Sequence, residues 1–182
     1  MRRTTHLSHV RAERMNSRMN LHRTQPLHLG FLLMLVLLAL TACSTVKDYV
    51  MPSGAKLDWE SVTLSIAAGA NRDYPIAIDV VLVSDEALAQ RLLGMSARDW
   101  FSARSGLRKT YPDVLSVDSL ELAPGESLTV PGKRWSGRRV AAAVVFADYL
   151  VPGPHLVRIE SLRGRIQLAF GANEFNAYSL EK

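Results

Sequence analysis

The chain has 182 residues, 48% of them hydrophobic and 7% aromatic, with a formal net charge of +5. Those values fit one globular domain plus an appendage and exclude wholesale disorder. Up to residue 42 there are six arginines and one acid, Glu13, so this leader carries the whole excess, while the remaining 16 basic and 16 acidic side chains balance. A basic charge confined to a leader removes the main support for nucleic-acid binding.

Phe31 to Leu40 reads FLLMLVLLAL, a ten-residue apolar run preceded by a basic segment ending in Arg23. A spanning helix needs about 20 apolar residues, so this is the layout of a secretory signal peptide, placed at 1–42. Met15 and Met19 are alternative starts that leave the mature chain unchanged. Leu40-Thr41-Ala42-Cys43 resembles the lipobox of bacterial lipoproteins, with Leu40, Thr41 and Ala42 as the signal-peptidase recognition residues. The small residues leave the backbone accessible, and the Cys43 thiol is the nucleophile that takes the diacylglyceryl group. Cys43 is the only cysteine, so no intramolecular disulfide forms. Several acyl chains, each buried CH₂ contributing about 0.8 kcal/mol, make such an anchor effectively permanent. Ser44 follows the cysteine. By analogy with Gram-negative lipoproteins, in which Asp at that position favours inner-membrane retention, this implies transport to the outer membrane, facing the periplasm.

Residues 43–56 read as lipid-attachment site and tether, since Pro52, Ser53 and Gly54 interrupt any periodicity. Residues 57–182 are expected to form one domain. Alternation in Val62 to Ile66 predicts a half-buried strand, and the β-branched run Ile76 to Val83 a second. Asp85, and then Ser96 with Asp99, are helix-start signals, which predict a helical insertion over about 86–104. Further strands are expected at Ser116–Leu122, Ser127–Val130, Val140–Phe146, Leu156–Ile159, Ile166–Phe170 and Phe175–Leu180, separated by Pro-Gly and Gly-rich turns. The unalternating run Val140–Phe146 predicts a central strand covered on both faces. The pattern is mainly β, about eight strands in a two-sheet β-sandwich with a short helical insertion after the second strand.

The chemistry of the mature chain is sparse. Apart from Cys43, His155 is its only Cys or His, which leaves no Cys/His pair and no His/Cys zinc cluster. His155 beside Pro154 reads as a turn-flanking residue, and Asp79, Asp99 and Asp148 as solvated or capping groups. No nucleotide-binding fingerprint occurs. The expectation is therefore no enzyme, no cofactor and no metal. Lys133 to Arg139 forms a basic cluster around Trp135 that suits anionic lipid, peptidoglycan or an acidic surface, or else a solvated hairpin loop. Trp59 and Trp100 read as core residues. In the segment Ala68 to Tyr74, Arg72 offers a planar donor fork and Tyr74 a rigid amphipathic ring, residue types enriched at binding hot spots. A polar hairpin turn explains Gly69, Asn71 and Asp73 equally well.

The lipobox, Pro75-Ile76-Ala77-Ile78-Asp79-Val80-Val81-Leu82 leading into Leu88 to Phe101, Leu120-Glu121-Leu122-Ala123-Pro124-Gly125-Glu126, and Val144-Val145-Phe146-Ala147-Asp148-Tyr149 together resemble the type VI secretion lipoprotein family called TssJ or SciN. The Leu150-Val151-Pro152-Gly153-Pro154 continuation departs from the more polar family pattern. The resemblance implies a transthyretin-like sandwich, lipid-anchored at the outer membrane, that binds the periplasmic C-terminal region of the inner-membrane subunit TssM through the loop between the first two strands. Carried onto this chain, the partner-binding residues are Asn71, Arg72, Asp73 and Tyr74. The alternative is a periplasmic ligand-binding lipoprotein for a small molecule or glycan.

Overall fold

The computed structural model describes residues 54–180. The signal peptide with its alternative starts, the Leu40 to Cys43 motif and the tether up to Ser53 lie outside these residues.

In chain order the strands are β1 (Ala55–Lys56), β2 (Asp58–Ile66), β3 (Ile76–Val83), β4 (Leu115–Leu122), β5 (Ser127–Pro131), β6 (Arg139–Val140), β7 (Ala142–Ala147), β8 (Leu156–Arg158), β9 (Arg163–Phe170) and β10 (Phe175–Leu180). Two helices, α1 (Glu86–Leu93) and α2 (Ala97–Thr110), follow β3. Sheet one has the order β10-β9-β2-β5, sheet two β4-β3-β7-β8, and β1 pairs with β6 alone. The mainly β sandwich read from the sequence is the observed architecture, with ten strands rather than eight.

Periodicity explains which layer each strand occupies. In β2, Val62, Leu64 and Ile66 are buried while Ser61, Thr63 and Ser65 point outward, and the outward hydroxyls pair across to β5 as Thr63–Thr129 (3.0 Å) and Ser65–Ser127 (3.2 Å). In β3 both faces are buried. Ile76, Ile78, Val80 and Leu82 join the core between the sheets, and Val81 and Val83 join a second core with Leu88, Leu92, Trp100 and Phe146. The helices thus cover the outer face of sheet two, giving three layers. The two-faced burial predicted for the alanine-rich run holds for β7, all six of whose residues are buried between β3 and β8.

Strand ends shift by up to four residues, as at β2 and β9, and three boundaries differ for tertiary reasons. The run expected as one strand breaks at Ala141, because Arg139–Val140 pair with β1 while Ala142–Ala147 pair with β3. Ala55 and Lys56, read as the end of the tether, form β1 for the same reason. The insertion is two helices and continues past residue 104, because Leu107, one heptad beyond Trp100, is also buried against sheet two. Both start signals act as caps: Leu88 N–H donates to Asp85 (2.7 Å), and Asp99 N–H donates to Ser96 Oγ (3.2 Å), whose hydroxyl donates in turn to the Asp99 carboxylate (2.7 Å).

Gly132, after β5, packs directly on β2. A Cβ there would lie 1.7 Å from the Trp59 carbonyl oxygen, so the two backbones must separate to accept any side chain. Gly132→Ala is expected to cost about 2 kcal/mol, read as a lowered melting temperature. An unchanged melt would show that this contact is not tight.

Candidate docking surface

At the end of the sandwich where β2 leaves for β3, residues 67–75 cross from sheet one to sheet two. The segment is therefore an inter-sheet arch and not the hairpin that composition also allowed. Its backbone is unusual. After Gly69 (φ 77°), Asn71 (φ 49°, ψ 35°), Arg72 (φ 56°, ψ 39°) and Asp73 (φ 64°) all occupy the left-handed region. Consecutive non-glycine residues there cost about 1–2 kcal/mol each, so the surroundings must hold them.

Asn71 does most of the holding. It is the residue type that best tolerates this conformation apart from glycine, and it is 3% exposed. Its Nδ2 donates to the carbonyls of Tyr74 (3.3 Å) and Pro75 (3.2 Å), and its Oδ1 accepts from Leu150 N–H (2.7 Å). Its own backbone N–H donates to the Ala172 carbonyl (3.0 Å). Tyr149, also buried, donates its hydroxyl to the carbonyls of Glu174 (2.9 Å) and Gly171 (3.2 Å). Burial, and secondarily the Glu174 carboxylate, push the Tyr149 phenol well above its ordinary range, so it stays a neutral donor. Three loops, 67–75, 148–155 and 171–174, are thereby stitched into one surface.

Among the four loop residues carried over from the sequence, Arg72, Asp73 and Tyr74 are exposed and Asn71 is not. Asn71, expected among the contact residues, is instead buried and holds the turn that carries Arg72, Asp73 and Tyr74. Tyr74 is 61% exposed, and Leu150 beside it is 51% exposed. With Pro75, Glu121, Asp148 and Tyr149 they border a shallow depression of about 250 Å³. Leu150 is not among the residues that the sequence reading places at this surface. Its signal was an apolar Leu-Val pair placed directly before a Pro-Gly-Pro turn, where a solvated loop has no use for it. The surroundings are acidic: Glu121 and Asp148 line the depression, and Asp73 and Glu174 are exposed on two of the three loops, against Arg72 and Arg98.

The other residues singled out take structural positions. His155 (φ 42°) packs on Tyr149 with ring centroids 4.8 Å apart and planes tilted by 30°, and its Nε2 is 2.8 Å from the Val151 carbonyl oxygen, so it braces its own loop. Asp79 is neither solvated nor capping. At 1% exposure it accepts from Trp100 Nε1 (2.8 Å) and from Arg104 (3.0 Å), which pins α2 to β3. Asp99 lies in the first turn of α2, bonded to the Ser96 cap, and Asp148 is exposed, so these three carboxylates do not converge. Within the basic cluster, Trp135 is 1% exposed and packs edge-on to Trp59 at 5.5 Å, with its Nε1 donating to Asp118, so it is no surface aromatic. Arg134 is paired to the same Asp118 (2.8 Å), whose hydrogen bond and charge raise its already high pKa. Lys133, Arg138 and Arg139 remain exposed.

No protein-family model and no curated protein matches the sequence. Solved structures do match. The type VI secretion lipoprotein TssJ1 from Pseudomonas aeruginosa superposes with a TM-score of 0.51 at 14% identity, covering 70% of this chain and 99% of that one. A chain of a type VI membrane complex superposes with a TM-score of 0.52 at 13% identity, covering 68% and 98%.

The domain has the TssJ fold.

Serratia marcescens Lip, a membrane-bound component of the type VI secretion system, is also similar, with a TM-score of 0.49 at 14% identity, covering 70% and 100%. The match to TssJ1 takes in nearly all of that chain, so the two-sheet core and the helical layer together make up the shared TssJ architecture.

Proposed function

We propose that this chain is a TssJ-type lipoprotein: a non-enzymatic docking subunit of a type VI secretion membrane complex. Cys43, cut free after Ala42 and acylated, anchors it in the outer membrane with the domain in the periplasm. The stitched loop end binds the periplasmic C-terminal region of the inner-membrane subunit TssM. The observation that carries this reading is the left-handed Asn71–Asp73 turn, held by buried hydrogen bonds on a TssJ fold so that Arg72, Tyr74 and Leu150 project from a rigid base. Backbone strain concentrated in a loop is characteristic of binding sites, and rigid side chains bind with little ordering cost.

The small-molecule alternative calls for a lined cavity. The space between the sheets is instead filled by Val62, Leu64, Ile78, Val80, Val145 and Ile166, each at most 1% exposed.

The test is association of the lipidated protein with purified TssM periplasmic region. Tyr74→Ala is expected to weaken binding about 30-fold, the loss of a hot-spot aromatic, with an unchanged unfolding transition because the ring is exposed. Wild-type protein that fails to bind, or a variant that binds as well as wild type, would overturn the assignment of this surface. Incorporation of labelled palmitate that Cys43→Ser abolishes tests the anchor separately.

A further inference from the structure

At the end of the domain opposite the loop surface, exposed cations and carboxylates lie side by side. The chain arrives there, because β1 pairs with β6 (Ala55 with Val140, Lys56 with Arg139) and β2 starts there. The same topology brings together the starts of β4, β7 and β9 and the ends of β3, β5, β8 and β10. Lys56, Lys133, Arg138, Arg139, Arg163 and Arg165 are all exposed at this end. Carboxylates share it: Asp58 and Glu60 on β2, Asp113 before β4, Asp85 and Glu86 at the start of α1, and Glu160, 3.8 Å from Arg158. On one side of this end Arg138 and Arg139 line a groove of about 510 Å³ with Asp113 as its only acid, and Arg138 also donates to Ser116. Lys56 and Arg139 sit opposite each other in the β1–β6 register, so the basic groove adjoins the point where the tether joins.

We propose that this groove, with the adjoining Lys56, is a membrane-seating surface, binding the phosphates of anionic lipid headgroups and turning the Arg72–Leu150 end away from the bilayer. This rests on the lipid-anchored reading of Cys43. Cys43 precedes Gly54 by eleven residues, a length of chain that reaches at most about 40 Å. Such a leash keeps the groove at high effective concentration over the surface. Each basic side chain close to an anionic membrane shifts the seating equilibrium roughly fivefold, and the acidic rim at the far end is repelled by the same surface. A lipid surface presents many phosphates at once to several cations, whereas a free phosphate occupies one position, so the spread of cations favours the membrane.

The test uses the lipidated chain in vesicles of phosphatidylcholine alone or with 30% phosphatidylglycerol (roughly 1 kcal/mol per cation is at stake). With Cys43 acylated, Ser136→Cys supplies a single free thiol for a donor dye beside the groove, read by energy transfer to a headgroup acceptor. The expected result is higher transfer in the phosphatidylglycerol vesicles, abolished by Arg138→Glu with Arg139→Glu and by about 0.5 M salt, and unaffected by millimolar inorganic phosphate. A second variant, Lys56→Glu with Arg139→Glu, is expected to lower the seated fraction about tenfold or more and controls for the Arg138–Ser116 contact. Equal transfer in both vesicle types, or transfer insensitive to both variants, would overturn the proposal. Loss of the effect with millimolar phosphate would also overturn it, by showing a free-anion pocket. Flotation with the vesicles reports the lipid anchor independently, and protein left unfloated would overturn the anchored reading itself.

Discussion

Trp100→Ala is expected to destabilise the domain by about 4 kcal/mol, the cost of deleting a fully buried indole whose cavity cannot close. Trp100 is 0% exposed, stacks on Phe146 at 4.8 Å with the rings 9° from parallel, and donates its Nε1–H to Asp79 at 2.8 Å. Three contributions therefore vanish together: apolar burial, ring stacking, and the hydrogen bond to a buried carboxylate. Asp79→Ala isolates the last of these. It strands the indole N–H, while Arg104, 39% exposed, swings into water, so the expected loss is about 2–3 kcal/mol. Both are read as a fall in the urea midpoint at constant slope. A loss below 1 kcal/mol for Trp100→Ala would mean that α2 is not clamped to sheet two.

Asn71→Ala is expected to cost about 3 kcal/mol and to abolish partner binding, although its side chain barely reaches solvent. The substitution puts a Cβ with no compensating polar group into the left-handed region and leaves Leu150 N–H without its acceptor at a part-buried position. Asn71→Gly separates strain from hydrogen bonding. Glycine adopts the φ of 49° freely, so it should recover about 1 kcal/mol of the loss without restoring the Leu150 contact or the binding. Denaturation midpoints and binding isotherms on the same preparations check both halves. Wild-type affinity in a folded Asn71→Gly protein would show that the loop keeps its shape without the Asn71 bridge to Leu150.

The contrast between Asn71 and Tyr74 shows where sequence reading stops. Both stand in one polar segment, and composition marks that segment as a surface loop. Which side chain faces inward is fixed by Leu150 and Ala172, distant in the chain, whose backbone groups pair with Asn71. The same holds for Asp79. Its position in an apolar run says that it lies on a strand, but its partners come from a helix 21 and 25 residues later. Trp135 reads as part of a basic cluster until Trp59 and Asp118 draw its ring into the core.

By itself the sequence determined what depends on short-range physics. Alternation, β-branched runs and turn signals gave the strands, most closely at Ile76–Val83 and Phe175–Leu180, which match the observed limits. Cap residues gave the helix starts at Asp85 and Ser96, and unbroken hydrophobicity gave the two-faced burial of β7. Only the tertiary structure decided the parallel pairing of β2 with β9, the break at Ala141, the stitching of three loops around Asn71, and the groove lined by Arg138 and Arg139 at the opposite end. Each of these depends on groups far apart in the chain becoming neighbours, and local propensity carries no record of which distant backbone group will satisfy a given donor.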